Sequence, residues 1–115
     1  MLYIESTKVG YKLANPLLGN EVIVDEIAPF TKHKVAVVGK YGRCGLINDN
    51  AELIIPIEYD SVMVAGEDIV ICKRKKQYFL KDTNGKPLLN FAFNSEEEAY
   101  TCGLYLTFEI WYQKR

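Results

Sequence analysis

The chain has 115 residues, 49% of them hydrophobic and 25% charged, with 14 basic residues against 15 acidic ones. This is the composition of a globular chain long enough to bury a modest core without a metal or a disulfide staple, so stability calls for no cofactor. A formal net charge of -1 without one-signed blocks disfavours nucleic acid and acidic membranes as partners, and no apolar run approaches the length of a membrane span.

The opening "MLYIESTKVGY" carries Glu5 and lacks the basic start and apolar core of an export signal. The expectation is a cytoplasmic chain, unless an export segment has been removed. Residues 5 to 19 show little periodicity and give no clear element. Short strand-like runs then recur at 34 to 38 (KVAVV), 52 to 57 (ELIIPI), 60 to 64 (DSVMV), 68 to 73 (DIVICK) and 78 to 81 (YFLK). Turn formers separate them: "INDNAE" in one place and "KDTNGK" in another, where Asn84 and Gly85 suit the positive dihedrals of a tight hairpin. Pro56 lacks an amide hydrogen and belongs at an edge, a bulge or a strand end. "NSEEEAY" predicts one short helix capped by Asn94 or Ser95, whose side-chain oxygen can accept a free amide hydrogen. The stretch "LYLTFEIWYQ" alternates Leu104, Leu106, Phe108, Ile110 and Tyr112 with more polar neighbours and predicts a last strand.

The chain also resembles itself. "VDEI", "VAVV", "GLINDN" and "AELII" between residues 24 and 55 are followed by "YDSV", "IVIC", "FLKDTN" and "GKPLL" between 59 and 89. Asp25 and Asp60 lie 35 positions apart, and Ala51 and Gly85 lie 34 apart. A period of this size signals a supersecondary unit that needs its neighbours to cover its apolar side. The expected fold is all-β, a small antiparallel domain of repeated β-hairpins with at most one short helix. It spans residues 1–115 as a single domain, with repeat units at 20–55 and 56–89 and a weaker third unit at 90–115.

"GKYGRCGLINDNAELIIPIEYD", from Gly39 to Asp60, resembles the unit of the WG-repeat (KWG-repeat) family, written G-K-x-G-x-x-D-x-x-G-K-x-V-I-P-x-x-Y-D. Tyr41 and Gly42 stand at the aromatic-glycine pair and Asp49 at the turn aspartate. Ile54, Ile55, Pro56, Tyr59 and Asp60 stand in the isoleucine-proline-tyrosine-aspartate portion. "KDTNGKPLL" repeats the hairpin part with Asp82, Gly85, Lys86 and Leu88. The likeness covers mainly residues 20–89. It departs from the family in the missing tryptophan, in the extra "RCG", and in "KRKKQY" where a glycine turn is usual. The resemblance implies adjoining β-hairpins, often in bacterial proteins, and carries over no catalytic set.

The side chains that carry chemistry are sparse. Cys44, Cys72 and Cys102 are odd in number, so a fully paired disulfide framework is excluded, and their reading is as small buried hydrophobes. His33 is the only histidine, and no spacing brings it to Cys44 or builds a zinc site. Asp25, Glu26, Glu58 and Asp60 fall near strand ends without a pattern that would separate their pKa values for acid–base work. Gly42 and Gly45 lack a phosphate-loop context and read, with Asp49, Asp60, Asn84 and Gly85, as structural turn residues, the glycines alternatively serving a bulge or close backbone approach. The basic run Lys73 to Lys76 reads as a charged hairpin tip, with single-stranded nucleic acid as the sharper alternative.

Tyr41, Tyr59, Tyr105 and Trp111 form the expected interaction surface. The expectation is a non-enzymatic module for protein interaction or structure, with a protein partner or self-association and no metal. The alternative is a small-molecule or carbohydrate-binding β domain with a groove near Tyr41, Tyr59 or Trp111.

Overall fold

Period-two alternation and closely spaced turns leave the chain few options besides antiparallel hairpins, and these dominate the structure. The computed structural model describes residues 2–65, 68–89 and 91–103. Ten strands follow in order: β1 (Tyr3–Thr7), β2 (Gly10–Asn15), β3 (Asn20–Val24), β4 (Glu26–Ile27), β5 (Val35–Lys40), β6 (Arg43–Asn48), β7 (Leu53–Tyr59), β8 (Ser61–Val64), β9 (Val70–Arg74) and β10 (Gln77–Lys81). They make a first sheet β1-β2-β3, a second β4-β5-β6-β7 and a third β10-β9-β8, every pairing antiparallel. The small all-β hairpin fold expected from the sequence is therefore the observed one. A helix over 96–103 is the one helix among the described residues. No helix among them is long and apolar enough to cross a membrane.

Two compact units divide the chain, Met1–Tyr59 and Asp60–Arg115. The division falls at the end of β7, which runs through to Tyr59. Of the third unit read at 90–115, residues 104–115, with Tyr105 and Trp111, lie outside the described residues.

In the first unit, β3 and β4 are one extended run interrupted at Asp25. Before it the chain pairs with β2; after it the chain pairs with β5. The first sheet turns Leu13 and Val24 onto Ala36, Val38 and Ile47 of the second, and these residues are buried in one cluster with Ala51. The pairings Leu13↔Val22 and Ala36↔Ile47 place the partners on common faces, as directly opposed strand residues must be. The opposite face of the first sheet is wet: Tyr3, Glu5, Glu21 and Ile23 are exposed there, and Lys12 Nζ lies 3.6 Å from Glu21 Oε2. Both faces of β5 and β6 are buried, with Val35 and Leu46 on the second face, which explains the unbroken apolar run at 35–38.

In the second unit, Ala65, Ile69, Ile71, Leu80 and Ala99 form the core, with Tyr78, Leu88, Leu89, Phe93 and Cys102 packed on it. Ser95 is the helix cap, its Oγ accepting the Glu98 amide at 3.2 Å. Phe93 exchanges both backbone hydrogen bonds with Tyr78 (2.8 and 2.7 Å), and this fastens the segment before the helix to the outer edge of β10.

Cys72, on β9, is fully buried, and desolvation pushes its thiol from 9.0 up to about 11, against a smaller opposing pull from the Lys81 charge. Folding therefore favours the protonated thiol. That contribution is complete below pH 9 and is lost as the pH rises from about 9 through about 11, amounting to roughly 2–3 kcal/mol at its end. Urea midpoints measured across this range should fall more steeply for the wild type than for Cys72→Val; parallel curves would remove the assignment.

Candidate interaction surface

The hairpin turns show what the repeated sequence builds. Tyr41 and Gly42 join β5 to β6 with φ of 53° and 77°, and Lys75 and Lys76 join β9 to β10 with φ of 56° and 81°. Two successive positive φ values are the geometry of a two-residue hairpin turn, and it is costly for residues other than glycine, asparagine or aspartate. A carboxylate offsets the cost in both places. Asp25 Oδ2 accepts the Tyr41 amide at 2.9 Å, and Asp60 Oδ2 accepts the Lys75 amide at 2.9 Å. The same aspartates donate their own amides to Gly39 O and Lys73 O (2.8 and 2.7 Å).

The loops at the far ends of these hairpins match as closely. Asn48 Oδ1 accepts the amides of Asn50 and Glu52 (2.9 and 3.0 Å); Asp82 Oδ1, 34 residues later, accepts those of Asn84 and Lys86 (both 2.9 Å). Ala51 and Gly85 take positive φ at equivalent points, 61° and 84°. Asp49 and Asn84 both lie in these turns. The accepting side chain in the first is Asn48; in the second Gly85 alone has positive φ, and Asn84 serves as an amide donor.

Gly45 is not in a turn. It lies buried within β6 where the β6–β7 register slips between Cys44↔Tyr59 and Leu46↔Ile55. The extra residues of β7 bulge toward it, so a Cβ at Gly45 would sit 2.5 Å from Ile55 O and 2.9 Å from Ile57 N. Pro56 falls in this bulge on the outermost strand, where no amide hydrogen is missed.

If Asp60 holds the Lys75–Lys76 turn, Asp60→Ala should lower the stability of the second unit by about 1–2 kcal/mol. Replacing Lys75 and Lys76 by Asn and Gly should recover about 1 kcal/mol of it. Denaturant midpoints of the three proteins check this; an unchanged midpoint for Asp60→Ala would show that the turn holds itself.

Among the residues expected to form a surface, Tyr41 is 85% exposed at its hairpin tip, beside Lys40 Nζ at 5.4 Å from the ring centroid. Tyr59 is 7% exposed and is removed from the accessible surface, because it ends β7 opposite Cys44 with its ring covered. Exposed apolar side chains missed in the sequence include Tyr3, Ile4, Val9, Tyr11, Leu17, Leu18 and Ile23 in the first sheet and its turns, with Leu17 at 87%, and Leu53, Met63 and Phe91 elsewhere. The loop bearing Leu17 and Leu18 is tied to the next by Asn20 Nδ2 donating to Asn50 O at 2.9 Å. Strand β1 is outermost in its sheet, pairs only with β2 among the described residues, and has all five residues exposed.

His33 and Cys44 are not brought together. Val35 pairs with Asn48 and Gly39 with Cys44, so His33 and Cys44 lie toward opposite ends of the β5–β6 hairpin. Asp25 and Asp60 are engaged by turn amides. Lys73 is the last but one residue of β9, with its Nζ 5.7 Å from the Tyr78 ring centroid, and Lys75 and Lys76 are the turn itself. No group of three metal-ligating side chains occurs among the described residues. An open depression of about 750 Å³ is lined by Phe93, Ser95, Glu97, Glu98, Thr101 and Cys102, and neither Tyr41 nor Tyr59 borders it. Comparison with protein-family models, with curated proteins and with solved structures finds no match to this chain.

Proposed function

We propose that the chain is a non-enzymatic interaction and structural module of the WG-repeat type, whose task is to hold another polypeptide. The observation that carries this reading is the pairing of a rigid, twice-repeated capped hairpin with apolar side chains it leaves exposed, Tyr41 on one hairpin and Leu17 and Leu18 on another loop. Turns fastened by carboxylates fix a scaffold, and large side chains held on a fixed scaffold gain contact area at low ordering cost. No cofactor enters this reading.

Affinity capture by the full chain, followed by mass spectrometry and light scattering, tests it. The expected result is one retained polypeptide, or a defined self-association, weakened about tenfold or more by Leu17→Asp with Tyr41→Asp while the thermal midpoint is unchanged. A monomer that retains no polypeptide, or retains a metabolite instead, overturns it.

A further inference from the structure

The three sheets share a two-stranded hairpin and differ in whether a strand covers the outer side of its first strand. Counted from the hairpin tip, β1 and β2 correspond to β5 and β6, and to β9 and β10: the closing pairs are Thr7↔Gly10, Lys40↔Arg43 and Arg74↔Gln77. In the second sheet the outer side of β5 is covered by β4, with Glu26 opposite Gly39 and Ile27 opposite Val38. In the third sheet the outer side of β9 is covered by β8, Ser61 to Val64 lying opposite Lys73 to Val70. The outer side of β1 is covered by no strand among the described residues.

The backbone groups left open there follow from the same correspondence. Gly39 O and Val37 O accept amides from the β4 segment, those of Asp25 and Ala28. Their counterparts on β1 are Ser6 and Ile4. In a two-residue hairpin closed by Thr7↔Gly10, alternate residues bond inward, which leaves Ser6 and Ile4 with donors and acceptors aimed outward. The side chains describe what would lie alongside. Ile4 shares a row with Leu13 and Val22, yet it is 51% exposed while Leu13 is fully buried, so the apolar row stops one strand short of cover. Glu5 shares the next row with Lys12, whose charge is already beside Glu21.

We infer that the outer edge of β1 accepts one extended strand of a partner polypeptide, antiparallel to β1, with a basic residue opposite Glu5 and an apolar residue opposite Ile4. The strand occupies the place that β4 and β8 fill in the other two sheets. A second copy of this chain fits less well: β1 paired symmetrically about Glu5 sets two carboxylates face to face, a destabilising cross-strand pair, and paired about Ile4 it sets Glu5 against Tyr3 and leaves the charge unmatched. Edge addition draws affinity from main-chain hydrogen bonds and selectivity from alternate side chains, so Ser6 and Ile4 supply the first and Glu5 the second. This inference rests on the reading of the chain as an interaction module and names its site and partner.

The test uses the full chain and a capped synthetic peptide with Ser-Lys-Val-Val at its centre, together with the same peptide carrying Glu for Lys. Amide NMR should show slowed exchange at Ile4 and Ser6 on adding the Lys peptide, which binds about fivefold tighter than the Glu peptide; Glu5→Lys should reverse the order. Ser6→Pro removes an outward amide hydrogen without touching the β1–β2 ladder, and should abolish binding at unchanged circular dichroism. Peptide binding that leaves Ile4 and Ser6 exchange unaltered, or self-association abolished by Ser6→Pro, overturns the inference. A captured polypeptide indifferent to Ser6→Pro also overturns it while leaving the broader reading in place; failure to bind any polypeptide overturns both.

Discussion

Gly45→Ala is expected to destabilise the Met1–Tyr59 unit by about 3 kcal/mol, a large loss for a single methyl group. The atoms that the new Cβ would meet are backbone: Ile55 O at 2.5 Å, with Ile57 N and the Pro56 carbonyl carbon both at 2.9 Å. Side chains can rotate away from such a contact; a bulge locked by Pro56 and by the flanking pairs Cys44↔Tyr59 and Leu46↔Ile55 cannot do so without breaking the ladder. Gly42 is the internal control. Nothing lies within 4 Å of its added Cβ, and its φ of 77° is the only obstacle. Gly42→Ala should therefore cost about 1 kcal/mol and Gly42→Asn less, since asparagine tolerates that region. Urea denaturation of the three variants separates the two mechanisms; equal losses at 42 and 45 would show that close approach is not what Gly45 serves.

Leu13→Ala should cost about 2–5 kcal/mol, and the loss should be felt in two sheets at once. Leu13 is fully buried on β2, but the residues it packs with, Ala36, Val38 and Ile47, belong to β5 and β6. Leu13 joins the two sheets through one shared cluster, so the expected signature is accelerated amide exchange at Val38 and Ile47 as well as at Val22. Acceleration confined to β1–β3 would mean that the first sheet frays alone and contributes nothing to the second.

Much of this fold was legible. Alternation at 52–57 and 68–73 and the equivalence of Asp25 with Asp60 follow from side-chain period and turn chemistry, both local properties. What failed was whatever depends on a neighbour. The β1–β2 hairpin went unassigned because an outermost strand needs no apolar alternation, and Thr7-Lys8-Val9-Gly10 has no asparagine–glycine pair to mark it. A signal was present in Asn15, 33 residues before Asn48, as Asn48 is 34 before Asp82. Asn48 and Asp49 are both good turn acceptors, and only the register of β6 against β7 decides which one faces the amides. Gly45 reports that space is short without reporting what fills it. Tyr59 reads alike whether its ring is covered or free, so the expected surface included a residue that the fold encloses. Tyr105 and Trp111 lie outside the described residues.

Every strand among the described residues lies against the one made just before or just after it, from β1 with β2 to β9 with β10. No ladder among the described strands waits for a segment translated much later. With the ribosome adding about 5–20 residues per second and hairpins closing in about 1–10 microseconds, each sheet can assemble while the next is still being synthesised.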